Sequence, residues 1–108
     1  MKTNKVVKQD REIETLLFDY SDFNSEEVKE VKVVLQEPSF EEVCEAYKYL
    51  HDENGKLDAV TAGKLIFDLC ALEFDDILLK KHTLMMSICG RICGLYVLPL
   101  DVEIKKKD

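Results

Sequence analysis

The sequence predicts an α+β fold in which an N-terminal β-hairpin or small antiparallel sheet packs on three to four α-helices, with helix predominating. Two segments before residue 36 are rich in β-branched and aromatic residues, which favour strands. Beyond residue 38, apolar residues recur at helical spacing. The length of 108 residues and the apolar content of 46% are enough for one core. We therefore expect a single domain, 1–108, with flexible basic tails at 1–11 and 103–108.

The hairpin is predicted from two strand-like runs. Residues 15–20 read Thr-Leu-Leu-Phe-Asp-Tyr, and residues 28–35 read Val-Lys-Glu-Val-Lys-Val-Val-Leu. The cluster Ser-Asp-Phe-Asn-Ser at 21–25 separates them, and small polar residues of this kind are typical of turns. The runs predict two antiparallel strands, with the alternative that a short helix begins at Ser25.

The first helix has the clearest start signal in the chain. Pro38 favours an extended entry, Ser39 is a good N-cap, and Glu42 lies three residues later, as a capping box requires. An amphipathic helix is therefore predicted over residues 39–51. Its expected apolar face consists of Phe40, Val43, Cys44, Tyr47 and Leu50.

Three further helices are predicted after residue 58. Residues 59–73 are apolar nearly all round, which indicates the central, most buried helix. Residues 75–82 are acidic first and basic last, an order that suits the dipole of a short helix. The last helix is expected to begin at a Thr83 cap and to be ended by Pro99.

Charge excludes several classes of partner. The formal net charge of -7 disfavours nucleic acid and anionic membrane surfaces, because both require a basic face. Residues 1–15 lack the apolar core of a secretory signal, and the apolar run 84–100 is short for a membrane span and contains Arg91. We expect a cytoplasmic protein with reduced thiols, whose four cysteines are small buried apolar residues.

The last helix is the most unusual segment. It is apolar on most sides, so other protein surface must cover most of it. Gly90 and Gly94 lie one turn apart, and each costs about 1 kcal/mol relative to alanine inside a helix. Their spacing predicts close approach by another backbone, either the central helix of the same chain or a second protein. Arg91 is left unexplained by this pattern.

The cysteines of the last helix also allow another interpretation. Cys89 and Cys93 lie one turn apart with His82 nearby in sequence, so a metal or redox site is the main alternative from another class. A structural zinc site needs four ligands, and only residues on predicted helical faces or ends remain to complete one: Cys44, Cys70 and His51. Core packing is the preferred interpretation, and we expect no metal, cofactor or catalytic residue.

Three stretches, in the order in which they occur, resemble a known pattern. They are Gln36-Glu37-Pro38-Ser39-Phe40-Glu41-Glu42, Ala62-Gly63-Lys64-Leu65-Ile66-Phe67-Asp68-Leu69-Cys70, and the apolar run after Asp75-Asp76. With the preceding hairpin, this order is similar to that of the small tail assembly chaperones of long-tailed bacteriophages. The resemblance extends over roughly residues 15–100.

The resemblance implies a non-enzymatic, protein-binding role in phage or prophage tail assembly. Such a protein binds the tape measure protein, with the tail tube protein as a second client, and keeps them soluble in the bacterial cytoplasm until the tube polymerises. The resemblance also implies self-association and a longer form made by ribosomal frameshifting. The codons of the three lysines at 105–107 are the candidate slippery run.

The predicted protein-binding residues all lie in the last helix. Apolar contacts are assigned to Met85, Met86, Ile92, Leu95 and Tyr96, and close approach to Gly90 and Gly94. Methionine suits this role because its flexible side chain adapts to irregular surfaces. The alternative function is a small cytosolic adaptor, or the metal or redox module described above.

Overall fold

A computed structural model describes residues 1–107 and confirms the α+β class. The elements in chain order are β1 (Lys2–Thr3), β2 (Ile13–Tyr20), β3 (Lys29–Gln36), α1 (Phe40–Tyr47), α2 (Ala59–Cys70), β4 (Ala71–Phe74), α3 (Ile77–Lys80) and α4 (His82–Tyr96). The strands form one antiparallel sheet in the order β1-β4-β3-β2. Among residues 1–107, the helices hold 39 residues and the strands 22, so helix exceeds strand without dominating the fold as the sequence suggested.

The predicted hairpin is present. β2 and β3 pair along their whole length, from Ile13 opposite Gln36 to Tyr20 opposite Lys29. Alternate residues of β3 face the helices, and Val31, Val33 and Leu35 are fully buried there. The β-branched residues predicted this pairing because they pack well on a pleated, half-buried surface. No helix begins at Ser25.

The predicted central helix is shorter than expected, because its last residues form a strand. α2 ends at Cys70, and Ala71–Phe74 continues as β4, which lies between β1 and β3. Both ends of β4 are buried, at Ala71 and Phe74. These residues are extended because the backbone N–H and C=O groups on the buried edge of β3 need hydrogen-bond partners, and β4 supplies them.

The segment 1–11, predicted as a flexible tail, contacts the sheet in the structure. β1 pairs with β4, and the Asn4 side chain donates a hydrogen bond to the Ala71 carbonyl at 3.0 Å. The buried amide of Gln36 accepts a hydrogen bond from the Gln9 backbone N–H at 2.7 Å and donates one to the Val7 carbonyl at 3.2 Å. These bonds satisfy a polar side chain that would otherwise be costly to bury. Residues 103–107 belong to no helix or strand and are exposed.

α1 begins as predicted but ends earlier, and three of the five residues of its predicted apolar face are exposed. Ser39 and Glu42 form the capping box, and the helix ends at Tyr47 instead of residue 51. Phe40 is 78% exposed, and Cys44 and Tyr47 are also exposed. The expectation that all four cysteines are buried is therefore wrong for Cys44. α1 is held to the core mainly through buried Ala46, with Leu50 buried just beyond the helix.

The core lies between the sheet and the pair α2 and α4, which make the most extensive helix contact. The two backbones approach most closely at Gly63, where a Cβ atom would lie 1.7 Å from the carbonyl oxygen of Cys89. Only glycine fits at such a contact, and this explains why a residue with low helix propensity occupies the middle of α2.

The final helices differ from the prediction at their ends. α3 forms only at Ile77–Lys80, and α4 begins at His82, with Lys81 at the N-cap making no side-chain capping bond. Thr83 is therefore inside the helix and not its cap. α4 ends at Tyr96, ahead of Pro99. None of the helices within residues 1–107 has the length and apolar character needed to cross a membrane.

Candidate protein-binding groove

An open apolar cleft lies where α2, α3 and the first half of α4 meet. It has a volume of about 380 Å³ and is lined by Val60, Lys64, Leu78, Leu79, His82, Met85, Met86 and Cys89. The cleft exists because α3 is only one turn long and leaves the N-terminal parts of α2 and α4 partly uncovered. Its lining is largely apolar, so water there gains few hydrogen bonds and is readily displaced by an apolar side chain.

A second cleft adjoins the first on the other side of α2. It has a volume of about 410 Å³ and is lined by Glu45, Tyr49, Val60, Thr61, Lys64, Leu65 and Asp68. Val60 and Lys64 line both clefts, so together they form one surface that crosses the N-terminal half of α2. We refer to the two clefts together as the groove. Its charged rim includes the ion pair between Lys64 and Asp68, spaced one helical turn apart.

The groove contains two of the seven predicted binding residues. Met85 and Met86 both line it, and the Met86 side chain is 54% exposed. Leu95 is exposed on α4 but does not line the groove. Ile92 is fully buried in the core, so its prediction as a surface contact is wrong. When apolar residues lie on nearly every side of a helix, their spacing does not show which side faces the core.

Tyr96 is partly buried and makes a contact within the chain, and its role in protein binding stays a prediction. Its hydroxyl donates a hydrogen bond to the Glu14 carboxylate of β2 at 2.7 Å. Burial, followed by this bond to a carboxylate, raises the pKa of Tyr96 above its ordinary value. The bond joins the C-terminal end of α4 to the beginning of β2.

Gly90 and Gly94 face open space within the chain. A Cβ atom built at either position meets no atom within 4 Å. The expectation that they pack on the central helix of the same chain is therefore wrong, and Gly63 makes that close approach instead. The alternative, close approach by a second protein, stays a prediction.

Most residues that line the groove were not predicted from the sequence as binding residues, and Val60 and Leu79 are among them. Val60 lies at the start of α2, and Leu79 lies in α3 and is half exposed. A signal existed for Val60, since α2 is apolar on more sides than a helix packed on one neighbour needs. No local pattern identified Leu79, whose exposure follows from the shortness of α3.

The three residues of the alternative metal or redox site differ in their exposure to solvent. Cys89 and Cys93 are buried, whereas His82 is exposed. Across residues 1–107, no three His, Cys, Asp or Glu side chains converge in a group that could hold a metal ion.

Burial raises the pKa of Cys89 to about 11 and that of Cys93 above its ordinary value. Burial, with the nearby Glu42 carboxylate, raises the pKa of Cys70 to about 12. A raised pKa lowers the fraction of reactive thiolate.

Thiol titration tests this assignment. We expect Ellman's reagent to modify one thiol rapidly in the native protein, at exposed Cys44, and all four after unfolding. The Cys44→Ser variant should lose the rapid phase and retain the slow one. Rapid modification of Cys89 or Cys93 in that variant would contradict the inert, buried role of these thiols.

Comparison of the chain with protein-family models, curated proteins and solved structures finds no match.

Proposed function

We propose that the chain is a non-enzymatic assembly chaperone of a phage or prophage tail, located in the bacterial cytoplasm. It binds the tape measure protein, with the tail tube protein as a second client, and keeps them soluble before the tube polymerises. The observation that carries the proposal is the groove, a largely apolar surface left open beside α4. The order of elements discussed above, which resembles that of tail assembly chaperones, supplies the identity of the clients.

The groove suits an amphipathic helix as its ligand. Helical ligands place apolar anchors at successive turns of one face and insert them into an apolar groove. The two clefts on either side of Val60 and Lys64 offer two adjacent positions for such anchors. Met85 and Met86 at one end can adjust to different anchor side chains.

Charge supports the same role. The formal net charge of -7 keeps the chain soluble while it carries an apolar segment. Lys64 and Asp68 both line the groove and pair with each other, and Glu45 adds a second carboxylate, so the rim offers charges of both signs to a ligand. The apolar lining supplies affinity, and the rim orients the ligand.

Co-expression with a tape measure protein tests the proposal. We expect the client to remain soluble only when the chain is present, and the double variant Leu79→Asp/Met86→Asp to weaken binding at least tenfold, because two charges would have to be buried. Both side chains are half exposed, so the fold should be unaffected. Phe23→Asp is the matched control, since Phe23 is exposed in the hairpin loop and lies outside the groove.

Two results would count against the proposal. The client could be equally soluble with and without the chain, which would exclude the chaperone role. Alternatively, the double variant could bind like the unmodified chain, which would place the client on another surface.

A further inference from the structure

The segment that follows α4 carries the pattern of a strand but forms none. Leu98, Leu100, Val102 and Ile104 alternate with Pro99, Asp101, Glu103 and Lys105. Strict alternation over this length is typical of a half-buried β-strand. Residues 98–107, here called the C-terminal arm, belong to no strand in the structure. The side chains of Leu100, Val102 and Ile104 are 86%, 76% and 84% exposed.

The sheet has one long strand edge that could accept such an arm. β2 pairs with β3 along one side, and no strand of residues 1–107 pairs with its other side. Leu16, Phe18 and Tyr20 of β2 pack against the core but are only partly buried. A free edge of eight residues, without a bulge in its pairing, is a ready template for another strand.

We propose that the C-terminal arm of one copy of this chain pairs antiparallel with the β2 edge of a second copy. The alternation of apolar and polar residues in the arm sets the register. The apolar side chains of the arm should lie on the same face of the sheet as the core-facing side chains of β2. The expected opposed pairs are Leu98 with Tyr20, Leu100 with Phe18, Val102 with Leu16, and Ile104 with Glu14. This pairing is independent of the groove and of the proposed clients.

The direction of the strands favours a second copy over the arm's own β2. Tyr96 bonds to Glu14, so the arm leaves α4 beside the beginning of its own β2. Lying along that strand would therefore make it run parallel to β2. All pairs in this sheet are antiparallel, and parallel pairing is slightly less stable per residue. A second copy can present its arm in the antiparallel direction.

Charges also favour the antiparallel direction. It brings the three lysines at 105–107 beside Asp10 and Glu12, just before β2. Neither carboxylate has an ion-pair partner within the described part of the chain. At the other end of β2, Asp22 already pairs with Lys29 and Lys81. A parallel arm would bring its lysines to this carboxylate, which is already neutralised.

The arm is also compatible with an edge position. Pro99 has no backbone N–H, and proline within sheets is confined to edge strands and strand ends. An arm added to β2 becomes the new edge strand, so this restriction is met. Because each copy has one arm and one β2 edge, reciprocal exchange produces a closed two-fold dimer.

Light scattering of the chain tests the dimer. We expect a mass twice the 12.5 kDa of one chain. Leu100→Asp/Val102→Asp should raise the dissociation constant at least tenfold, because it removes the apolar side of the arm. Asp101→Ser/Glu103→Ser, on the other side of the same segment, is the matched control and should remain dimeric. A monomeric unmodified chain, or a dimer equally stable in both variants, would overturn the proposal.

Disulfide crosslinking tests the register and the partner. In a Cys44→Ser background, a chain with Leu16→Cys is mixed with a chain carrying Val102→Cys and treated with a mild oxidant. We expect a crosslinked heterodimer. Thr15→Cys replaces Leu16→Cys as the control, and it should crosslink poorly because residue 15 lies on the other face of β2. A crosslink that forms only within one chain, when both cysteines are placed in it, would assign the arm to its own β2 and overturn the proposal.

Discussion

Gly63→Ala is expected to destabilise the chain by about 3 kcal/mol or more, a loss at the upper end of the range for overpacked cores. The added Cβ would lie 1.7 Å from the carbonyl oxygen of Cys89 and 2.6 Å from its carbonyl carbon. Backbone atoms cannot move aside as a flexible side chain can, so α2 and α4 must separate. Separation loosens the most extensive helix contact of the core. Denaturant unfolding followed by circular dichroism measures the loss.

Gly90→Ala and Gly94→Ala are the matched controls for this prediction. Both glycines lie inside a helix, as Gly63 does, but a Cβ at either position meets open space. Each replacement should therefore stabilise the chain by up to about 1 kcal/mol, the difference in helix propensity. Destabilisation by either control, or a Gly63→Ala variant as stable as the unmodified chain, would contradict the observed packing of α2 against α4.

The hairpin and the start of α1 could be predicted because their signals are local. β-branched residues and a turn cluster define the hairpin, and the capping box needs only Ser39 and Glu42. Each of these features has its physical cause within a few residues of sequence. The same holds for the apolar character of α2, which placed this helix correctly in the core.

β4 and the N-terminal pairing could not be predicted because their causes are distant in sequence. The residues Ala71–Phe74 have no strand-like composition, and they extend only because β3 offers an edge. β1 in turn depends on β4. The exposure of Phe40 likewise depends on what packs around α1, and its helical spacing alone suggested burial. Tertiary context overrides local preference in all three cases.

The candidate site was predictable in part. Met85 and Met86 were recognised because adaptable apolar side chains stood in a segment with too much apolar surface for a chain of this size. For Gly90 and Gly94 the sequence left two possible neighbours, since a spacing of four residues defines a helical face but not the neighbour of that face. The structure excludes only the central helix of the same chain. Gly63 is likewise a glycine inside an apolar helix. Only the packing of α4 on α2 showed that Gly63 is the glycine that the core requires.

Glu42 joins three parts of the chain that are far apart in sequence. Its Oε1 accepts hydrogen bonds from the Ser39 backbone N–H at 2.9 Å and from the Cys70 thiol at 3.5 Å. The same oxygen pairs with the Arg11 guanidinium, which comes from the N-terminal segment. One carboxylate therefore connects the segment before β2, the start of α1 and the end of α2.

Glu42→Ala is expected to destabilise the chain by about 2 kcal/mol. The substitution removes one half of the capping box and leaves the Arg11 guanidinium and the Ser39 N–H without their partner. Glu41→Ala is the matched control, because Glu41 also lies in the first turn of α1 but is exposed and makes no side-chain bond within residues 1–107. It should cost less than about 0.5 kcal/mol, as most surface substitutions do. If both variants lost the same unfolding free energy, Glu42 would stabilise the chain no more than any acidic residue near the start of a helix.

The pH dependence of the destabilisation by Glu42→Ala tests whether the ionised carboxylate of Glu42 is its cause. Burial alone would raise the pKa of Glu42, but the hydrogen bonds from Ser39 and Arg11 outweigh it and hold the pKa below the ordinary value of 4.5. A group whose pKa is lower in the folded state stabilises the fold fully above its unfolded pKa and loses this contribution as pH falls through the folded value. The difference in unfolding free energy between the unmodified chain and Glu42→Ala should therefore be constant near neutral pH and shrink below about pH 4.5. A difference that grows on acidification would mean that the carboxyl group stabilises the fold in its protonated form, and the ion pair with Arg11 would then not be its source.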